Sequence, residues 1–189
     1  SPRTVGSALR RLTDGGLVAG GQLDVGAIPA VGAGTRMMWH PRKAAFRAGK
    51  VTGSEWDETN VGFFSTAFGQ NTQAKGFAGV AMGNSAAALG DESIAIGPFA
   101  LASGVGSVAL GWATVASNNG AIATGLQTLA NGPRSTAMGH GTRASGEAAT
   151  ALGMNSIASG QYSLATGYGT TAGPFSVAGG QNSSAVGDT

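Results

Sequence analysis

An alanine recurs every 14 residues, without a slip, through the greater part of this 189-residue chain: Ala67, Ala81, Ala95, Ala109, Ala123, Ala137, Ala151 and Ala165. A glycine two places on keeps step, at Gly69, Gly83, Gly97, Gly111, Gly125, Gly139, Gly153 and Gly167. The next copy, Ala178 with Gly180, arrives one residue early, because "TTAGPF" at 170–175 lacks the serine of "SIASGQY". A second series runs half a period out of phase, at Ala74, Ala88, Ala102, Ala116, Ala130, Ala144, Ala158 and Ala172. Most of its members also have glycine two places later, and Asn118 stands in for one of those glycines. Asparagine tolerates positive φ best after glycine, so these positions are read as demanding that conformation.

A seven-residue half-period suggests a coiled coil, but a coiled coil needs Leu or Ile at its seam positions and helix formers between them. Here every heptad carries a breaker, and the neighbours of alanine are often Val, Ile or Thr, which favour strand. The local pattern alternates with period 2 over about five residues, and glycine then turns the chain. Strand, turn, strand and turn in 14 residues make one coil of a solenoid. The expected fold class is therefore all-β, a parallel β-roll of stacked coils. Nine coils at about 4.8 Å give a rod on the order of 40 Å long.

The alternation assigns the faces. Ser, Ala and Gly of the first strand share one side and are read as lining a narrow interior in which a larger side chain would overpack. The other side carries Val80 and Met82, Ile94 and Ile96, Val108 and Leu110, Thr136 and Met138, Leu152, and Leu164 with Thr166. That stripe is too large to leave in water on a monomer, and its simplest partner is the same stripe on an identical chain. The second strand mixes Gln73, Lys75, Asn131 and Arg143 with Leu101, Val115, Leu129 and Ile157, as a partly solvated face would.

Composition narrows the function. Glycine fills 34 positions and charged residues only 11%, yet 42% of the chain is apolar and no collagen-like period occurs. The net charge is +2, but residues 1–61 hold eight of the eleven Lys and Arg, so the repeat is nearly uncharged. A nucleic-acid partner would require a basic stripe along the repeat. Cysteine is absent, and no apolar run approaches the roughly 20 residues of a membrane span. The end at "SSAVGDT", in mid-pattern, reads as a fragment of something longer, so a membrane would be met only through an anchor outside it.

In "SIAIG", "SVALG", "STAMG" and "SLATG" the chain resembles the head repeats of trimeric autotransporter adhesins, the YadA-like head, over about residues 62–187. The resemblance implies a left-handed parallel β-roll, a tight homotrimer and a role in attachment, often to extracellular matrix. It makes residues 62–189 the head repeats and the stripe above the trimer interface. "GAGTRMMWHPRKAAFRAGKV" with "WDETNVGFFSTAFG" is similar to a lead-in found before such repeats in bacterial proteins. Residues 31–61 are accordingly expected to cap the open edge of the first coil, with Trp39, Phe46, Trp56, Phe63 and Phe64 as building material. Residues 1–30 read as a Gly-rich connector or short strands.

Other chemistries find no support in the sequence. His40 lies among Arg36, Arg42 and Lys43 with no acid nearby in sequence, and His140 sits at a variable turn position. No catalytic triad, metal-ligand spacing or cofactor motif appears, so no enzyme activity, cofactor or metal is expected. The glycine patterns "GAGTRM" and "GVGSVALG" lack a P-loop lysine, and the repeat lacks the aspartates of a calcium β-roll. Thr114, Thr128, Thr142 and Thr170 form a partial column, read as turn or edge residues rather than an ice-binding row. The basic cluster at 36–50 is read as a solvated cap surface or as pairing between chains with Glu55, Asp57 and Glu58. The expected function is the adhesive head of a bacterial surface protein, acting outside the cell with Trp112 as the exposed candidate ligand contact. Alternative readings are a fibre of a phage tail or contractile injection particle, and a rigid spacer that binds nothing.

Overall fold

The computed structural model describes residues 9–11 and 17–187. Strands β1 (Leu9–Arg11) and β2 (Leu17–Ala19) pair antiparallel. Residues 1–8 and 12–16 of the expected connector lie outside the described residues. Strands β3 (Gly34–His40) and β4 (Ala45–Val51) form an antiparallel hairpin across the 3-10 turn Pro41–Lys43. β4 then pairs in parallel with Thr66–Gln70, the first strand of the repeat, and the solenoid starts there.

Each coil holds a long strand and a two-residue short strand. The long strands run from Thr66–Gln70 to Val177–Gln181 and, with β4 and β3, make an eleven-stranded sheet. The short strands run from Gln73–Ala74 to Ser184–Ala185 and make a second sheet of nine. Pairing between coils is parallel and in register, with Ala67 on Ala81, Ala81 on Ala95 and Ala109 on Ala123. The fold is thus a parallel β-solenoid of about nine coils.

The interior is an alanine column. Every alanine of both series from Ala67 to Ala172 is completely buried, and the core cluster of the repeat contains no larger apolar side chain. Serines share this interior, and most bond their hydroxyls, although the buried Ser107 hydroxyl has no partner among the described residues. Ser93, Ser135 and Ser163 each donate to the carbonyl three residues back, at 2.6–2.7 Å.

The two glycine series have different physical reasons. The first lies inside the long strand, or just past it at Gly97, with φ between +97° and +128°, and in the coil of Gly125 the chain bends two residues later than the glycine pattern alone would place the turn. The second (Gly76, Gly90, Gly104, Gly132, Gly146, Gly160) lies outside the left-handed region, as does Asn118, which corrects the positive-φ reading of those positions. Their requirement is space, because a Cβ on Gly76 would stand 1.9 Å from the Gly90 carbonyl oxygen. Asn118 uses its carboxamide on the backbone instead, accepting from Asn119 N and donating to Asn131 O.

The corners themselves are left-handed and mostly not glycine. Phe99 (φ 58°) and Gln127 (φ 54°) are examples. Their amides donate to Asn84 O and Trp112 O of the preceding coil, both at 2.9 Å, so the ladder continues around the bend. That bond offsets a conformation costing about 1–2 kcal/mol.

The threonine column is also a correction. Thr114, Thr128, Thr142 and Thr170 are buried inside the coil, not at an edge, so they offer no outward row. The Thr170 hydroxyl donates to Ser156 Oγ at 2.9 Å, whereas the buried hydroxyls of Thr114, Thr128 and Thr142 have no partner among the described residues. Thr128→Val is therefore expected to raise stability by about 1 kcal/mol, and Thr170→Val to lower it by a similar amount. Urea midpoints of the two variants check this, and equal shifts of one sign would contradict it.

Candidate functional site

The start of the solenoid is closed by side chains acting as strand donors. In later coils, the short-strand carbonyls accept backbone amides from the coil before, as in Gln73 N to Ala86 O and Lys75 N to Ala88 O, both 2.9 Å. The first coil has no short strand before it. Its Thr72 carbonyl accepts from the Trp56 indole N–H at 2.8 Å, and its Ala74 carbonyl from Arg47 Nη2 at 2.9 Å.

Arg47 pairs in register with Ala67, so it enters the interior at the head of the alanine column. It is completely buried, and its guanidinium also donates to Phe46 O, Ser65 O and Ser65 Oγ at 2.8–2.9 Å. Burial pushes its pKa down to about 10, which leaves it charged at neutral pH. No motif in the sequence singles out Arg47, yet Arg47-x-Gly49 has the frame of Ala67-x-Gly69.

The aromatic residues of segment 31–61 and its border have separate tasks. Trp56 is fully buried with Met38 and Val51, and the Arg36 guanidinium lies 5.5 Å from its ring centroid. Phe46 meets Phe68 at 5.4 Å, Phe63 is partly exposed and Phe64 more so, and Trp39 is half-buried in β3.

His40 is not without an acid: its Nε2 lies 2.9 Å from Glu58 Oε2, across 18 residues of sequence. Lys43 Nζ stands 3.1 Å from the other Glu58 oxygen and also donates to Val61 O. Within this chain, then, the basic cluster meets Glu58, while Asp57 points elsewhere and accepts the Gly32 amide at 2.6 Å. Burial acts to raise the Glu58 carboxyl, but the hydrogen bonds and charges of Lys43 and His40 outweigh it and hold the pKa below its ordinary value. A depressed carboxylate contributes stability that is complete above the unfolded range and is lost as pH falls through the folded value. Below about pH 4 the hairpin is expected to loosen, reported by Trp56 fluorescence, and Glu58→Gln should flatten that transition. An unchanged acid transition in Glu58→Gln would place the sensitivity elsewhere.

On the outer side of the long strands stand the residues of the apolar stripe. Val80, Met82, Ile94, Val108, Leu152 and Leu164 are half-buried, and Ile96, Leu110 and Met138 are exposed by 38%, 37% and 41%. They stack coil on coil, Val80 on Ile94 on Val108 and Met82 on Ile96 on Leu110. Trp112 ends its long strand rather than forming the turn, and His140 does the same two coils on. Trp112 is 44% exposed, with Phe99 edge-on at 6.5 Å. Among the described residues, no three acidic, His or Cys side chains gather to hold a metal ion.

A coil lined by alanine, closed at one end and apolar along an outer face defines a structural repeat domain. Residues 74–100, 102–128 and 130–156 match the family described as the YadA head domain repeat (2 copies). No curated protein matches the chain.

Proposed function

We propose that this chain is the rod-like head of a homotrimeric bacterial surface adhesin. In this reading three left-handed β-rolls bury the stripe from Val80 to Leu164 against one another and present their remaining surfaces outside the cell. The observation that carries it is that stripe, running over the stacked long strands, beside an interior whose apolar side chains are all alanine. Alanine removes little apolar surface from water, and contact between chains at roughly 25 cal/mol per Å² supplies what the coil lacks. Recognition then uses the corners and outer face three times over, gaining by avidity, with Trp112 as a candidate contact. The protein has no catalytic task here. Segment 31–61 is the cap that starts each roll.

An Ile96→Asp, Leu110→Asp double variant tests the reading. It places two charges on the stripe and leaves the interior untouched, so the trimer should dissociate or fail to assemble. A variant retaining the wild-type assembly mass would show that this face is not the interface.

A further inference from the structure

We infer that the corner carrying Tyr162 and Phe175 is a binding site for a neutral, β-linked pyranose chain. The inference rests on the head reading only in that an outward-facing rod would meet such a ligand.

Tyr162 and Phe175 are exposed by 56% and 66%, and their rings lie 5.7 Å apart at 36°. Both are left-handed corner residues with φ 54°, and their amides donate to Glu147 O and Gln161 O of the coil before. The rings therefore project from a pinned backbone, which reduces the ordering cost of binding. They sit where the period falls from 14 to 13, a point at which the corner differs from every other in the rod.

Polar side chains continue the row. Gln161 Nε2 donates to Glu147 Oε2 at 3.0 Å, and Arg134 Nη2 pairs with Glu147 Oε1. Carboxylate, amide and guanidinium thus form one bonded row, and its Gln161 immediately precedes the exposed Tyr162 in the chain. Aromatic faces suit the flat C–H face of an equatorial sugar, and planar polar groups suit its hydroxyls. The charges of Arg134 and Glu147 cancel, so the corner selects against strongly charged chains. The exposed pair Phe99–Trp112 has no comparable bonded set of polar side chains beside it among the described residues.

Cellohexaose titrated into the intact chain, followed by calorimetry, tests the inference, with heparin as the charged comparison. Cellohexaose should bind, heparin should not compete, and Phe175→Ala should weaken binding at least about tenfold, equivalent to about 1.4 kcal/mol. Both rings are exposed, so Phe175→Ala and Tyr162→Ala should keep the wild-type fold, checked by circular dichroism. Absence of cellohexaose binding, or binding indifferent to both ring variants, overturns the inference. Assembly mass measured on the same samples separates the two readings. A trimer that ignores cellohexaose sinks the sugar site alone, and a monomer that binds it through Phe175 sinks the trimeric head alone.

Discussion

Gly125→Ala is expected to break the rod at its middle. Gly125 has φ +117°, and a Cβ there would stand 2.1 Å from the Gly139 carbonyl oxygen, a backbone atom fixed by the next coil. Neither problem can be relieved by rotating a side chain. The loss should exceed about 4 kcal/mol, a large share of the 5–15 kcal/mol that holds an ordinary domain. Solenoid coils contact only their neighbours, so the damage should centre on the coils at Val108–Trp112 and Thr136–His140. Gly106→Ala is the control. Gly106 has φ +62° with nothing within 4 Å of an added Cβ, and Ala78 and Ala148 occupy the matching corner at φ 53° and 51°. It should cost about 1 kcal/mol. Urea unfolding with amide exchange compares the two, and similar losses would show that stacked glycines are not a space requirement.

Arg47→Ala should have the next largest effect, confined to the other end. Alanine at 47 would continue the column below, but no short strand lies opposite to fill the space, and the Ala74 carbonyl would keep only the Gly62 amide at 3.0 Å. The variant loses four hydrogen bonds from a charged donor and opens a cavity, a cost of about 3 kcal/mol or more. Arg47→Met restores much of the volume without the donors and separates packing from bonding. Amide exchange should quicken through Thr66–Ala74 first and reach the far coils last. Wild-type protection at that first coil in Arg47→Ala would show that Arg47 does not close the head of the column.

The coil and its register were legible because stacking sets each residue on its own counterpart. Ala81 must fit above Ala67 and below Ala95, so the period records the spacing of the coils directly. The corners were not legible. Phe99 and Tyr162 adopt left-handed backbone that glycine usually signals, and they do so because bonds to the previous coil hold them there. Asn118 misled for a related reason, since conformation and close approach both ask for glycine and only the neighbouring backbone separates them. Thr128 looked like an edge residue because a hydroxyl is expected near water, whereas its small size suits the interior. Glu58 was hidden from His40 because β3 and Pro41–Lys43 bring together groups distant in sequence. Arg47 could have been found by extending the Ala-x-Gly frame one strand towards the N-terminus.

The most direct test of the central claim is the mass of the purified chain in solution, by sedimentation equilibrium over a wide concentration range. The account predicts a species of three times the 18.4 kDa chain, unchanged on dilution until the chains unfold together. A folded, soluble monomer of 18.4 kDa with Ile96 and Leu110 open to water would contradict it.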